Sequence, residues 1–338
     1  MQESNEAPPQ QAMMQLMAGF WISRAVHAAA VLGLADLLES PRTANQLAID
    51  TGMHSRSMYR LMRALASVGV FRERDDGRFE STPLSDTLKS AGDGSLRYTA
   101  ISELGLTHYG PWGELLQSLK NGKPSFDAVF GMPIFDWFAR NPDRSEIFNR
   151  SMSELTALVE PAVLDAYDFS GLGTIVDVGG GHGGLLAGIL QKHPSLRGIV
   201  FDAPEVVAGT PEKLRAAGVA DRCTTASGDF FASVVPGGDT YIMKHIIHDW
   251  DDDKCRTILT HCRSVMKPGS KILVVDQVLP GRNEPSLGKF SDLIMMVMPG
   301  GQERTEDEFR TLLESAGFTF SRLVPTRSIV SVVEGVAK

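Results

Sequence analysis

Residues 174–190 read Thr-Ile-Val-Asp-Val-Gly-Gly-Gly-His-Gly-Gly-Leu-Leu-Ala-Gly-Ile-Leu, and this stretch decides the fold. Thr174, Ile175 and Val176 are β-branched and predict a strand. The glycines follow at once, and Leu185 to Leu190 resume with helix-forming residues. A strand, a turn almost free of side chains and a helix N-terminus let a bound molecule approach the backbone closely. Gly179, Gly181 and Gly184 satisfy the spacing G-x-G-x-x-G, which fits a dinucleotide and fits S-adenosylmethionine (SAM) as well.

The surroundings separate the two. Asp177 lies two residues before the first glycine, where a carboxylate suits a ligand carrying an ammonium and a sulfonium and suits a pyrophosphate badly. Ile199-Val200-Phe201-Asp202 is a second strand ending in an acid, placed to hold a ribose diol. Gly228-Asp229-Phe230-Phe231 closes a third strand signal with an acid and two rings, suited to an adenine amine and its flat face. The plain alternative is that Asp177 and Asp229 are ordinary turn acids; the order of the signals favours SAM.

From residue 171 onward, strand signals fall at 174–178, 198–202, 222–226, 239–243, 271–276, 317–323 and 328–334, with helical signals between most of them. This alternation predicts an α/β fold, a doubly wound Rossmann-like sheet with ligands at the carboxyl ends of its strands. No helix separates the last two strands, so they predict a hairpin and an antiparallel last strand.

The chain has 338 residues, 43% of them hydrophobic, enough for two domains with real cores. A net charge of −8 argues against a general nucleic-acid or membrane-surface binder. No apolar run predicts a membrane span and no signal peptide is evident, and three irregularly spaced cysteines fit neither a zinc site nor a disulfide framework. A reduced, soluble, cytoplasmic protein is the expectation. Residues 1–11 are polar and rich in Pro and Gln and predict a frayed tail.

Residues 12–38 form an Ala- and Met-rich helical stretch with few charges, and a partner subunit is a natural place to bury it. Residues 43–80 predict a winged helix-turn-helix, with Met58, Leu61, Met62 and Leu65 on one helical face and a Gly77 turn between two wing strands. Arg56, Arg60 and Arg63 share another face, which raises a DNA-binding regulator as a second hypothesis. However, residues 1–105 hold ten basic and twelve acidic residues, and a net −2 suits a dimerisation module better. The expected division is 1–105 for a winged-helix-like dimerisation domain and 106–338 for the ligand-binding domain, with a helical segment at 106–170 over the substrate and the Rossmann-like core at 171–338. Within that segment Trp112–Leu119, Ile134–Phe138 and Arg144–Tyr167 read as helices, and its aromatics suit a core or a lid over a flat substrate.

Tyr241 to Lys244 predict a strand ending in Lys244, and His248-Asp249-Trp250 follow one helical turn later. His248 therefore lies where substrate should sit, with the side chain best poised to take a proton near neutral pH. Asp251 reads as the N-cap of a helix at 253–266, and its acidic neighbours favour the positive end of the dipole, so the run does not predict a metal site. Asp276 ends the next strand. Glu303 lies in the loop Gly300-Gly301-Gln302-Glu303-Arg304-Thr305, and Thr305 with Glu308 predicts a capping box. Asp276 and Glu303 are two acids able to orient and charge-stabilise one imidazole.

Together these blocks resemble the plant-type O-methyltransferases that act on small molecules, including their bacterial polyketide and indole relatives. The resemblance covers nearly the whole chain. It rests on the N-terminal winged-helix region, Val176 to Gly181, Phe201-Asp202, Gly228 to Phe231, Lys244 to Trp250 and Gly300 to Thr305. It implies that Asp177, Gly179, Asp202, Asp229, Phe230 and Lys244 surround SAM, and that Arg150 reaches its methionine carboxylate as in bacterial members. It implies His248 as base, flanked by Asp276 and Glu303, with Met152, Asp292 and Met295 in the substrate pocket. The expected protein is a homodimeric, metal-independent enzyme that methylates a small aromatic hydroxyl and releases S-adenosylhomocysteine. The alternatives are a SAM-binding relative that methylates nitrogen or performs hydroxylation or decarboxylation with SAM bound, and the winged-helix regulator.

Overall fold

The computed structural model describes residues 8–92 and 94–338. Contacts along the backbone group them into two units, one of residues up to 109 with 146–154, the other of 110–145 with 155–338. The expected tail at residues 1–7 lies outside the described residues.

In the first unit a helix runs Pro9–Leu32 and stops at Gly33, whose φ of 64° gives a left-handed cap. The sequence suggested a helix at 12–38. It starts earlier, at Pro9, because proline suits the first helical turn, and after Gly33 only a short 3-10 turn, Asp36–Leu38, follows. The winged helix-turn-helix forms as expected. Helices Ala44–Thr51 and Ser55–Ser67 precede a small antiparallel sheet of β1 (Arg42–Thr43), β2 (Phe71–Glu73) and β3 (Arg78–Ser81) in the order β1-β3-β2. Leu47, Met62, Leu65, Phe71 and Phe79 fill its core. Burying each such side chain fully contributes about 1.5–3 kcal/mol. Arg56, Arg60 and Arg63 lie exposed on the opposite side of their helix. Met13, Met14, Leu16, Met17, Phe20 and Trp21 of the first helix are exposed as well.

The second unit is built on a seven-stranded sheet: β4 (Thr174–Val178), β5 (Arg197–Asp202), β6 (Cys223–Ser227), β7 (Thr240–Lys244), β8 (Lys271–Asp276), β9 (Phe318–Pro325) and β10 (Ser331–Ala337). Their order is β6-β5-β4-β7-β8-β10-β9. β4 to β8 pair in parallel; β10 is antiparallel to both of its neighbours, β8 and β9. The strand order reverses between β4 and β7, so a crevice opens there at the carboxyl edge. Alternate residues serve opposite cores. Ile272 and Val274 of β8 join the cluster under helices Asp252–Val265 and Glu306–Ser315, while Leu273 and Val275 join the one under helix Gly184–Lys192. Burial on both faces explains why these strands read as continuous apolar runs.

Ahead of the sheet, the stretch expected as one helix from Trp112 divides into Leu106–Gly113 and Leu115–Asn121; Pro111 sits inside the first. Ser125–Phe130 adds a helix with no expected counterpart, then Ile134–Arg140 and Pro142–Ala166 follow. Among the described residues no helix is long and apolar enough to cross a membrane.

Both predicted caps form. Asp251 accepts the Lys254 N–H at 2.9 Å, and its helix begins one residue earlier than expected, at Asp252. Thr305 and Glu308 make a reciprocal capping box. Thr305→Ala should lower stability by about 1 kcal/mol. The check is chemical denaturation, with a shift of midpoint at an unchanged slope.

Candidate active site

The carboxyl edge of β4, β5, β7 and β8 collects the acids and the lysine that the sequence singled out. Gly179 takes φ 68° and Gly181 φ 57°, in the left-handed region that favours glycine. A Cβ on Gly179 would strike the Ile246 side chain, so the loop passes close under the residues that follow β7. Asp202, at the end of β5, accepts the Gly181 N–H through Oδ2 at 2.8 Å and the Ala203 N–H through Oδ1 at 2.7 Å. The acid thereby ties the glycine loop to the second strand, and each oxygen keeps a lone pair for a diol.

Asp177 is 2% exposed. Burial pushes its carboxyl up to about 7, against the pull of Lys244, with Asp202 adding to the rise. Lys244 is half-buried, and burial lowers its pKa while Asp177, Asp276 and Asp249 oppose the shift. A buried acid and a half-buried base that feel each other's charge thus end adjacent strands of the sheet. Past β6, Asp229 accepts the Phe231 N–H at 2.8 Å and sets the turn that presents Phe230. The Phe230 ring lies 6.4 Å from the Trp250 ring. The Trp250 indole N–H is buried without a partner among the described residues, and Phe135 packs on its ring at 5.3 Å. Trp250 is a site residue that the sequence reading quoted only as part of a motif. Its signal is its place two residues after His248.

His248 sits in a 3-10 turn, Ile247–Asp249, just beyond β7. Its Nδ1 lies 3.0 Å from Glu303 Oε1. A carboxylate can only accept, so Nδ1 carries the hydrogen and Nε2 is left as the basic nitrogen. Glu303 is 3% exposed, and the same Oε1 receives Ser291 Oγ at 2.7 Å and Gln277 Nε2 at 3.2 Å. Its backbone N–H donates to Asp292 Oδ1 at 2.9 Å. Ser291 and Gln277 were not expected, because neither carries a motif. Asp249 is a further unexpected neighbour, its Oδ1 3.6 Å from His248 Nε2.

Asp276 takes a different place from Glu303. Its Oδ1 accepts the backbone N–H of His245 at 2.8 Å, and its buried Oδ2 has no partner among the described residues. It acts on the imidazole through its charge. Burial alone would lower the His248 pKa, but Asp276, Asp249 and Glu303 together raise it to about 10. Burial in turn raises Asp276 to about 7 and Asp249 to about 6. His245, at φ 55°, stacks on the His248 ring at 5.1 Å, and burial, Lys244 and His248 hold it well below its usual pKa.

Asp292 lies in helix Gly288–Val297 with Met295, next to Ser291. Arg150 and Met152 belong to the first unit. There Arg150 pairs with Glu146 at 2.7 Å and donates to the Tyr98 hydroxyl at 2.6 Å.

Chemically, the arrangement offers a basic imidazole nitrogen beside a glycine loop, an acid tied to that loop, and a pair of rings. Residues 112–319 match the O-methyltransferase domain and residues 14–90 the O-methyltransferase dimerisation domain. The chain is 41% identical to the phenazine O-methyltransferase PhzM of Lysobacter antibioticus over 99% of each chain. It is 39% identical to the mitomycin biosynthesis 6-O-methyltransferase of Streptomyces lavendulae, covering 94% of this chain and 92% of that one. The structure matches human N-acetylserotonin methyltransferase in complex with SAM with a TM-score of 0.91 at 28% identity, over 99% of each chain.

In the free protein His248 should titrate well above 6.5, and Glu303→Gln should bring the midpoint down by removing the carboxylate against Nδ1. Histidine NMR across pH reads this directly. The same linkage has a sign. A midpoint raised above 6.5 makes the charged ring stabilise the fold fully below pH 6.5, and that contribution is lost as pH climbs toward about 10.

Proposed function

Since the chain belongs to the O-methyltransferase family, we propose that it moves the methyl group of SAM to a phenolic hydroxyl of a small aromatic metabolite, with His248 as general base. The observation that carries this reading is the His248–Glu303 pair at the carboxyl edge, 3.0 Å apart and buried, next to the glycine loop. The residues present fit the cofactor. Asp202 suits a ribose diol, and Phe230 with Trp250 offers flat faces and an unpaired indole N–H for an adenine. Asp177 and Lys244 supply charges of both signs for its amino and carboxylate ends. Arg150 is the proposed second contact to that carboxylate, and Met152, Asp292 and Met295 are proposed to shape the acceptor pocket.

SAM, when bound, supplies a methyl group already made electrophilic by its sulfonium. The remaining task falls to the protein. A neutral phenol, with a pKa of about 10, is a poor nucleophile, so its proton must leave as the oxygen attacks. His248 Nε2 accepts that proton. Glu303 holds the ring through Nδ1, and Asp276 and Asp249 stabilise the imidazolium that forms. The surrounding acids hold the free ring charged up to about pH 10, so Nε2 serves as base only once that proton has left, and held alignment of the acceptor oxygen supplies much of the acceleration. The phenazine and mitomycin activities of the relatives support a flat, polycyclic acceptor. The dimerisation domain and the exposed apolar face of helix Pro9–Leu32 support a homodimer joined through the first unit.

His248→Ala should lower kcat by about 10²–10⁴-fold with little change in SAM affinity, and the deficit should shrink at high pH, where the phenol ionises unaided. Turnover of labelled SAM with a panel of hydroxylated phenazines, quinones and benzoates, against pH, checks it; near wild-type turnover at neutral pH would remove the base role. Asp202→Ala should weaken S-adenosylhomocysteine by roughly 1–3 kcal/mol through unpaired polar groups, as calorimetry can measure. A chelator should leave turnover unchanged. Light scattering should find a dimer.

A further inference from the structure

The loop that delivers Glu303 also carries Arg304, which is 1% exposed. The guanidinium directs its donors at one short stretch of chain. Nη1 donates to the carbonyls of Ile247 at 3.0 Å and Gln302 at 3.3 Å. Nη2 donates to the Trp250 carbonyl at 3.0 Å and to Asp252 Oδ1 at 2.7 Å, and Nε reaches the same Oδ1 at 3.1 Å. The neighbouring Gln302 completes the grip. Its backbone N–H donates to the His248 carbonyl at 2.9 Å, and its side chain to Asp252 at 3.0 Å. Residues 302–304 thereby hold the carbonyls of Ile247, His248 and Trp250. The two segments also touch so closely that a Cβ on Gly301 would collide with the His248 carbonyl.

We propose that Arg304 is a positioning residue of the reaction: with Asp252 as its counter-ion, it locks the 247–250 turn onto the 302–304 loop and so sets the hydrogen bond between His248 and Glu303. The proposal rests on the reading of His248 as base. Its logic is geometric. His248 and Glu303 are 55 positions apart, and each lies outside the strands and α-helices that could fix it. Glu303 stands between Gln302 and Arg304, so the two pins flank the carboxylate they position. Arg304 also forms an isolated parallel bridge with Val278, which ties the loop to the chain just after β8. Only a planar fork with several fixed donors can meet three carbonyls and a carboxylate at once; a lysine carries the charge without the fork.

The test uses full-length enzyme with ¹³C-labelled histidines. There are eight, and the His248 signal is the one lost in His248→Ala. Arg304→Lys keeps charge and removes the fork. Asp252→Ala removes the counter-ion, whose own side chain is 59% exposed. In both variants the His248 midpoint should fall below its wild-type value as the Glu303 contact loosens. Turnover should fall by about 10–100-fold, the scale of a small misplacement, while KM for SAM stays near wild type. A folded variant whose His248 midpoint stays at the wild-type value overturns the proposal. A midpoint that falls with turnover intact upholds the lock and instead removes His248 as base.

Discussion

Burying an imidazole costs free energy that only a matched set of opposite charges and hydrogen bonds offsets. That constraint shapes the carboxyl edge of the sheet. His248 is surrounded by Glu303, Asp249 and Asp276; Glu303 and Asp276 are buried and Asp249 is half-buried. Each acid therefore needs its own support. Glu303 receives Ser291, Gln277 and the ring; Asp276 receives the His245 N–H; Asp177 answers Lys244. Two carboxylate oxygens without partners among the described residues, Asp276 Oδ2 and Glu303 Oε2, mark where the set is incomplete.

The sheet brings about that convergence from distant parts of the chain. Parallel strands β4, β5, β7 and β8 all end at one edge, so Asp177, Asp202, Lys244 and Asp276 arrive together although each comes from a different strand. The loops that follow the strands then add His248 and Glu303. The strands set Asp177, Asp202, Lys244 and Asp276, and the His248–Glu303 pair lies where loop-to-loop contacts such as those of Arg304 and Gln302 join the two segments. The family relationship accounts for the cofactor class.

Much of this was legible in the sequence. The seven strands were marked to within a few residues; the central ones, such as β8 at 271–276, stood out because strands buried on both faces leave an unbroken hydrophobic signature. The caps at Asp251 and Thr305 were legible because capping is local chemistry. The sequence offered Glu303 as an acid able to orient His248, but nothing local encodes a meeting across 55 positions. Gln277 and Ser291 escaped notice because a neutral amide and a hydroxyl carry no pattern. The long N-terminal helix was read through Gly33, whose cap depends on a backbone angle that the apolar pattern does not reveal. The expected helix from Trp112 missed its break after Gly113 for a similar reason.

The central claim is that His248 removes the acceptor's proton at the carboxyl edge of the sheet. The most direct measurement is the absorption spectrum of a phenolic acceptor that the enzyme methylates, bound at neutral pH together with S-adenosylhomocysteine, to wild type and to His248→Gln. Proton removal by His248 gives a phenolate spectrum on the wild-type enzyme and a neutral phenol spectrum on the variant. The same protonation state on both proteins would contradict it.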